Sequence, residues 1–409
     1  MKTMIGGKVM SDNELSSGSK SIGISRRAAI KKTVNAGLAA GAVASAPGWI
    51  LPALAQGEEL VPFSDMPEEY SRPPARPGGT HFLDTRLISS DSFYTDNQDF
   101  YVVQHYGQPE LDLSNYRLQI TGLVDNTIEY SLADLQAMPQ FDLDAGFECG
   151  GNRPLGIFQG LVGNANWRGV RLRDILDAAG IKPEGKEIVF FGGDVGVEEI
   201  RETEVEQAFA RSLPLADAMR DVNMLALQMN GELLPQGHGR PVRLLIPGFY
   251  GVANVKWLTQ IHVQDRRYMG RFMGRDYVTL KKERVGDQER WVENSVTRIN
   301  LKSAIVRVSR MADEFTITGF VLNDGTPLKS VEVKIDDGPW QRAEIDPRSS
   351  QYSWKLFSMP WSSPGVGEHT IVSRVTDVNG NVQPTRSQLP EKVSRWENFG
   401  QMPRTLTIG

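Results

Sequence analysis

The segment FECGGNRPLG, residues 147–156, carries Cys149, the single cysteine of a 409-residue chain. One cysteine cannot close an intramolecular disulfide, so the thiol is either an inert core group or has a chemical role. As a thiolate it would be a soft metal ligand or a nucleophile. A nucleophile needs a base, and His105 or His238 could serve in a Cys–His hydrolase pair. Nothing around Cys149 matches a protease signature, however. The five histidines, at 81, 105, 238, 262 and 369, fall at no zinc-like spacing and no CxxC occurs, so a metal held by protein ligands alone is not expected. No Walker or dinucleotide glycine motif supports nucleotide chemistry.

The elements that must position Cys149 read as two domains plus extras, as the length suggests. The composition, 40% hydrophobic and 23% charged, is that of a soluble globular protein, and 40 glycines with β-branched runs favour strands and turns. Residues 96–285 read as a mixed α+β domain. YRLQITGLV and TIEYSLADLQAMP predict a strand pair and a short helix capped by Ser131. VRLRDILDAAGI predicts an amphipathic helix with Val170, Leu172, Ile175, Leu176 and Ala179 on one face. EIVFFGGD reads as a short buried strand, and RPVRLLIPG and VKWLTQIHV as two more. KKERVGDQERW reads as a charged connector. Over 295–409 the strand-like pieces IVRVS, EFTITGFV, SVEVKID, SWKLFSM and HTIVSRVTD, spaced by turn signals, predict a β-sandwich that serves packing or dimerisation.

Residues 1–55 read as an address, with Arg26–Arg27, an apolar Gly- and Ala-rich run, and a small-x-small site at Ala53–Leu54–Ala55. This is the pattern of a twin-arginine signal, which implies export to the periplasm of an already folded protein. Gly and Pro interrupt the run and no other long apolar stretch exists, so stable membrane insertion is not expected. Residues 56–95 read as an extended arm or linker. The signal segment holds seven basic and two acidic residues, leaving a net charge of −10 on the rest. An acidic body without basic blocks argues against nucleic acid as a partner.

Three collinear stretches carry a resemblance: CGGNR at 149–153, GNANWRGVRLRDIL, and MNGELLPQGHGRPVRLLIPGFYGVANVKWL. They are similar to motifs of the molybdenum sulfite oxidases and sulfite dehydrogenases, and VEVKIDDGPW and SRVTDVNGNVQP extend the match, which runs over about 97–409. The resemblance implies a sulfite-oxidase-like molybdopterin domain followed by an all-β immunoglobulin-like sandwich through which the chain forms a homodimer. It implies one Mo-molybdopterin per chain, with Cys149 as the metal's protein ligand and flanking glycines that let backbone approach closely. Cofactor contacts are then expected from Tyr101, Gln104, His105, Asp194, His238, Arg243, Asn254 and Lys256. Lys256 and Arg243 would offset the phosphate charge, while His238 and His105 donate hydrogen bonds. Tyr277, 21 residues after Lys256, takes the place of the family's active-site tyrosine. Arg153 is expected to anchor substrate, whereas Trp167, Trp257 and Trp340 read as core.

The implied function is oxidation of sulfite or a related small sulfur compound. Electrons would pass to a separate c-type cytochrome, since one cysteine leaves no CxxCH haem motif in this chain. The sulfite pocket is altered, however. Val103 stands where an arginine is usual, Gln104 replaces an asparagine, Pro154 replaces a second arginine, Thr326 lies near another arginine position, and Phe158 lies near a substrate-facing tryptophan. Each lost charge-assisted bond weakens anion binding by roughly 1.5–3 kcal/mol, unless arginines such as Arg271 or Arg275 substitute. Two alternatives stay open: the same cofactor acting on a less anionic substrate in either redox direction, and a non-catalytic binding protein on this fold.

Overall fold

The computed structural model describes residues 57–65, 80–89, 91–153 and 160–409. The signal-like segment, Pro154 and Phe158 lie outside them.

Strands dominate, and the helices are few and short. Leu132–Ala137 is a helix capped by Ser131 and Asp134 in a reciprocal capping box. Leu172–Ala179 buries Leu172, Ile175, Leu176 and Ala179 on one face, while Val170 belongs to the preceding strand, Val162–Arg171. Two sheets build the first domain. One runs in the order Arg243–Leu245, Met224–Met229, Val162–Arg171, Gln140–Glu148. The other runs Ile128–Ser131, Arg117–Gly122, Leu258–Gln264, Glu187–Ile200, Thr203–Pro214, with Arg117–Gly122 and Leu258–Gln264 parallel.

Two hairpins replace simpler expectations. EIVFFGGD is the first half of a 14-residue strand that passes its glycines at a bulge and returns as Thr203–Pro214. The turn is Arg201–Glu202, both at positive φ, so the glycine or asparagine that usually marks such a turn is missing. KKERVGDQERW is likewise no connector. Val278–Val285 and Gln288–Ser295 pair across Gly286–Asp287, a two-residue Gly-Asp hairpin signal that the surrounding charge obscures.

The C-terminal region holds two further sheets. The first is ordered Glu58–Leu60, Lys302–Met311, Glu314–Leu322, Lys355–Ser362, Glu344–Ile345. The second is ordered Gln341–Arg342, Leu328–Ile335, Gly367–Asp377, Arg404–Ile408. They share a core that includes Ile305, Ile317, Val331, Val333, Phe357, Ile371 and Leu406; Ile335, expected inward, is only half-buried against it. The described ends of 56–95 are packed: Glu58–Leu60 is an edge strand on Lys302–Met311, and His81 bridges Val102. The C-terminal region also reaches into the first domain. Trp354, buried, donates its indole N–H to Phe93 O at 2.9 Å, and Gly146 N–H donates to Tyr352 O at 2.9 Å.

Candidate active site

Cys149 is the first residue after the strand Gln140–Glu148, where the chain leaves the sheet in a tight turn closed by Asn152 N–H on Cys149 O at 2.8 Å. The thiol is buried and receives the Gly151 N–H at 3.5 Å. Burial pushes it up to about 11, against that backbone bond.

A cavity of about 550 Å³ opens beside it. Its walls include Tyr101, Gln104, His105, Cys149, Asp194, His238, Arg243, Asn254, Lys256 and Tyr277, brought together from well-separated stretches of chain. Tyr101 to His105 come from the segment that precedes the first long strand, and Asp194 from the bulge in Glu187–Ile200. His238 ends a short 3-10 turn, Arg243 opens an edge strand, and Asn254 and Lys256 lie on the crossing into Leu258–Gln264. Gly239 makes that crossing possible. It sits at φ +105, and a Cβ there would meet the Lys256 Cβ at 2.9 Å.

The wall carries two cations against one carboxylate. Arg243 is buried, with its guanidinium 5.0 Å above the Phe147 ring, and burial lowers it to about 10. Lys256 Nζ donates to Val103 O and Gly237 O, both at 3.1 Å, and burial holds it well below its ordinary value. Burial raises Asp194 to about 6, against its own backbone bond and the Lys256 charge. Among the described residues, Asp194 Oδ1, His238 Nδ1 and Arg243 Nε are buried polar atoms without a partner, a costly condition unless a ligand satisfies them. This donor and acceptor set fits a phosphate-bearing pterin.

His238 corrects an expectation. Its Nε2 lies 2.9 Å from Asn97 O, which can only accept, and burial lowers its pKa to about 3. The neutral ring therefore spends its N–H on Asn97 and offers Nδ1 as an acceptor, not a donor. His105, lowered to about 4 mainly by burial, has Nε2 2.9 Å from the Tyr277 hydroxyl. Tyr277 is buried, its phenol pushed well up by burial and by Cys149.

Arg153 is not in this cavity. It lines a second one of about 570 Å³, with Asn152, Lys302, Arg386, Asn398 and Gln401. Val103 does line the first, whereas Thr326 bonds Asp324 within its own turn. Arg271 pairs with Glu198 and Asp276, and Arg275 with Glu198 at 3.6 Å, so both are committed to carboxylates. Trp167 is core, Trp257 is buried and also lines the cavity, and Trp340 stacks under Arg374 at 4.1 Å.

Several contributions escaped the sequence. Glu148, buried beside Cys149, accepts from Lys302 Nζ at 2.6 Å and Asn152 Nδ2 at 2.7 Å. Lys302 belongs to the C-terminal region, so a buried ion pair ties the thiol turn to it. Arg211, buried, donates to Phe272 O and Val296 O on either side of Tyr277. Trp396 stacks on Tyr277, with ring centroids 4.4 Å apart, and Arg395 stands beside it. Charged residues inside apolar runs were the available signal for Glu148, Arg211 and Lys302.

A family profile described as "Oxidoreductase molybdopterin binding domain" matches residues 105–272. The mitochondrial sulfite oxidase of Drosophila melanogaster is 31% identical over 333 residues, covering 73% of this chain and 56% of that protein. The chain thus spans little more than half the length of that relative. The sulfite oxidase of Arabidopsis thaliana is 28% identical over 369 residues, covering 78% of this chain and 91% of the relative. The crystal structure of the sulfane dehydrogenase SoxCD from Paracoccus pantotrophus superimposes with a TM-score of 0.70 at 25% identity, covering 84% of this chain and 90% of that one. With a thiol, a collinear set of motifs and a pterin-compatible set of donors and acceptors in one cavity, this chain belongs to the sulfite oxidase family of molybdopterin oxidoreductases.

Proposed function

We propose that the protein is a molybdopterin-dependent oxidoreductase that oxidises a small sulfur compound, sulfite or a sulfane, at a molybdenum held by Cys149. The observation that carries this reading is the gathering of Cys149, Tyr277 and the cofactor-binding candidates around one cavity with partnerless polar atoms. Among the described residues no three His, Cys, Asp or Glu gather as a metal cage, so a metal at Cys149 would draw its other ligands from the pterin. Bound there, molybdenum supplies two-electron oxygen-atom transfer chemistry.

The chain's own residues then have defined work. Cys149 binds as thiolate, which metal charge favours over the thiol that burial prefers. Lys256 and Arg243 offset phosphate charge in a low-dielectric wall. His238 Nδ1, an acceptor, and Arg243 Nε and Asp194 Oδ1, each without a partner in the chain, would be satisfied by the polar edge of a bound pterin. Tyr277, protonated at neutral pH and with His105 Nε2 at its hydroxyl, would donate toward the substrate and hold the proton that accompanies electron release.

Sulfur as the reacting centre is supported by the relatives' names, a sulfite oxidase and a sulfane dehydrogenase. The twin-arginine pattern supports export to the periplasm, and a single cysteine supports a separate c-type cytochrome as acceptor. The two-sheet C-terminal region supports an immunoglobulin-like module through which two copies associate, and sedimentation equilibrium should return a mass twice that of the chain. Val103 in the cavity wall favours a second reading, a less anionic substrate or the reductive direction. A nitrate reductase from Ulva prolifera, 27% identical over 353 residues, is among the relatives.

The test is electron paramagnetic resonance of the purified protein during a sulfite titration, with dithionite as control. A molybdenum signal raised by sulfite is the expected result. A signal with dithionite alone would move the search to other substrates. Silence in both, with molybdenum absent by elemental analysis, would contradict the reading.

A further inference from the structure

We propose that Arg395, carried on the ring of Trp396, is the cation that selects a negatively charged sulfur substrate at Cys149, in place of the arginines this chain lacks. The proposal deepens the sulfur-oxidising reading above and rests on it.

The segment that brings these two residues is built into the thiol site. Trp396 lies nearly parallel to Tyr277, at 20° and 4.4 Å between centroids. It also covers Gly151: a Cβ on that glycine would stand 3.1 Å from the Trp396 ring and 3.9 Å from Cys149 Sγ. Ring and thiol therefore flank one glycine. Glu397 N–H donates to Gly150 O at 2.8 Å, which fixes the segment to the turn that carries the thiol. The Glu397 carboxylate accepts from Thr279 and from Asn300 Nδ2. Lys392 Nζ donates to Trp396 O, to Glu397 O at 2.8 Å and to Asn398 Oδ1 at 3.2 Å, which braces the backbone on its other side.

Arg395 is exposed, with its guanidinium 4.5 Å over the Trp396 ring. Stacking of this kind fixes a long side chain without neutralising it. Among the described residues no carboxylate pairs with it, in contrast to Arg271 and Arg275, which Glu198 engages. Burial is the main influence on Cys149, Tyr277 and His105, and the Arg395 charge reaches all three. It is therefore a cation held on a fixed platform, beside the turn that carries the thiol. Asn398 and Gln401, from the same segment, line the second cavity with Arg153 and Arg386. Arg153 and Arg386 add positive charge on the side of this segment, where the Glu148 carboxylate is already paired with Lys302.

Cys149 makes the test direct, because it is the only thiol in the chain. In the full-length, cofactor-free chain, its alkylation by anionic iodoacetate is compared with that by neutral iodoacetamide. The ratio cancels thiolate fraction and reports the potential at the sulfur. At low ionic strength Arg395→Gln should lower the ratio about three- to tenfold, with most of the effect lost in high salt. Arg395→Lys should retain most of it, which guards against a folding defect. In the loaded enzyme Arg395→Gln should raise KM for sulfite about tenfold and leave kcat within about twofold, the pattern of lost binding without lost chemistry. A ratio unchanged in both Arg395→Gln and Arg395→Glu overturns the proposal. If instead the ratio falls while wild-type protein turns over no sulfur anion, the cation stands where it is placed and the sulfur-oxidising reading fails.

Discussion

Glu148 and Lys302 show what a buried charge does next to a functional thiol. Both are buried and meet at 2.6 Å, with Asn152 as a third partner. Removing one charge strands the other, so Glu148→Gln should destabilise by about 3–5 kcal/mol in urea unfolding, while an apolar pair, Glu148→Leu with Lys302→Met, should recover most of it. At the cavity, His238→Leu removes Nδ1, a buried acceptor without a partner in the chain. It should lower cofactor retention about tenfold on dialysis, read as molybdenum per chain. The cofactor residues were legible in the sequence because each lies inside a motif of fixed order. Trp396 and Lys302 were not, because their partners are more than 100 residues away and only folding brings them together, and Arg395 reaches the thiol only through Trp396. The direction of the His238 hydrogen bond was illegible for the same reason: it depends on Asn97.

At the scale of elements, turns decided what the sequence could reveal. The capped helix at Leu132–Ala137 and the amphipathic one at Leu172–Ala179 follow from local spacing, and the alternation in SVEVKID buries Val331 and Val333. The hairpin through Arg201–Glu202 defeats local reading because two non-glycine residues adopt positive φ there. That hairpin matters to the site, since its two strands deliver Asp194 and Phe209 to the cavity and Arg211 to the backbone around Tyr277. Gly239 is the element-scale position with least tolerance. With φ +105 and the Lys256 Cβ at 2.9 Å from a new Cβ, Gly239→Ala combines strain with a clash. A loss of about 1–2 kcal/mol from the left-handed conformation alone is expected. The thermal midpoint should fall and cofactor retention with it, whereas Gly286→Ala, in open space at a hairpin tip, should lower the midpoint without touching retention.

For the molecule as a whole, the first domain and the C-terminal region share packing through Trp354 and the Glu148–Lys302 pair, so the site is sensitive to global stability. Two cavity histidines, His238 buried and His105 half-buried, set an acid limit. His105 and His238 are held near 4 and 3 in the folded cofactor-free chain, below the ordinary histidine value, by burial. Between those values and about 6.5 the unfolded chain binds the protons that the folded one refuses, so stability is lost as pH falls through that window. Asp194, raised to about 6, and His369, raised by its hydrogen bond to Asp336, oppose this with smaller shifts than those of His105 and His238. The midpoint of the cofactor-free protein should therefore drop between about pH 7 and about pH 5, and His105→Gln should flatten the slope. The central claim is that one thiol holds one metal, and X-ray absorption at the molybdenum edge tests it most directly. Wild-type protein and Cys149→Ser, both purified as folded chains, should differ by one sulfur in the shell around molybdenum, with turnover lost in the variant. An unchanged sulfur shell in Cys149→Ser, or wild-type turnover in that variant, would contradict the account.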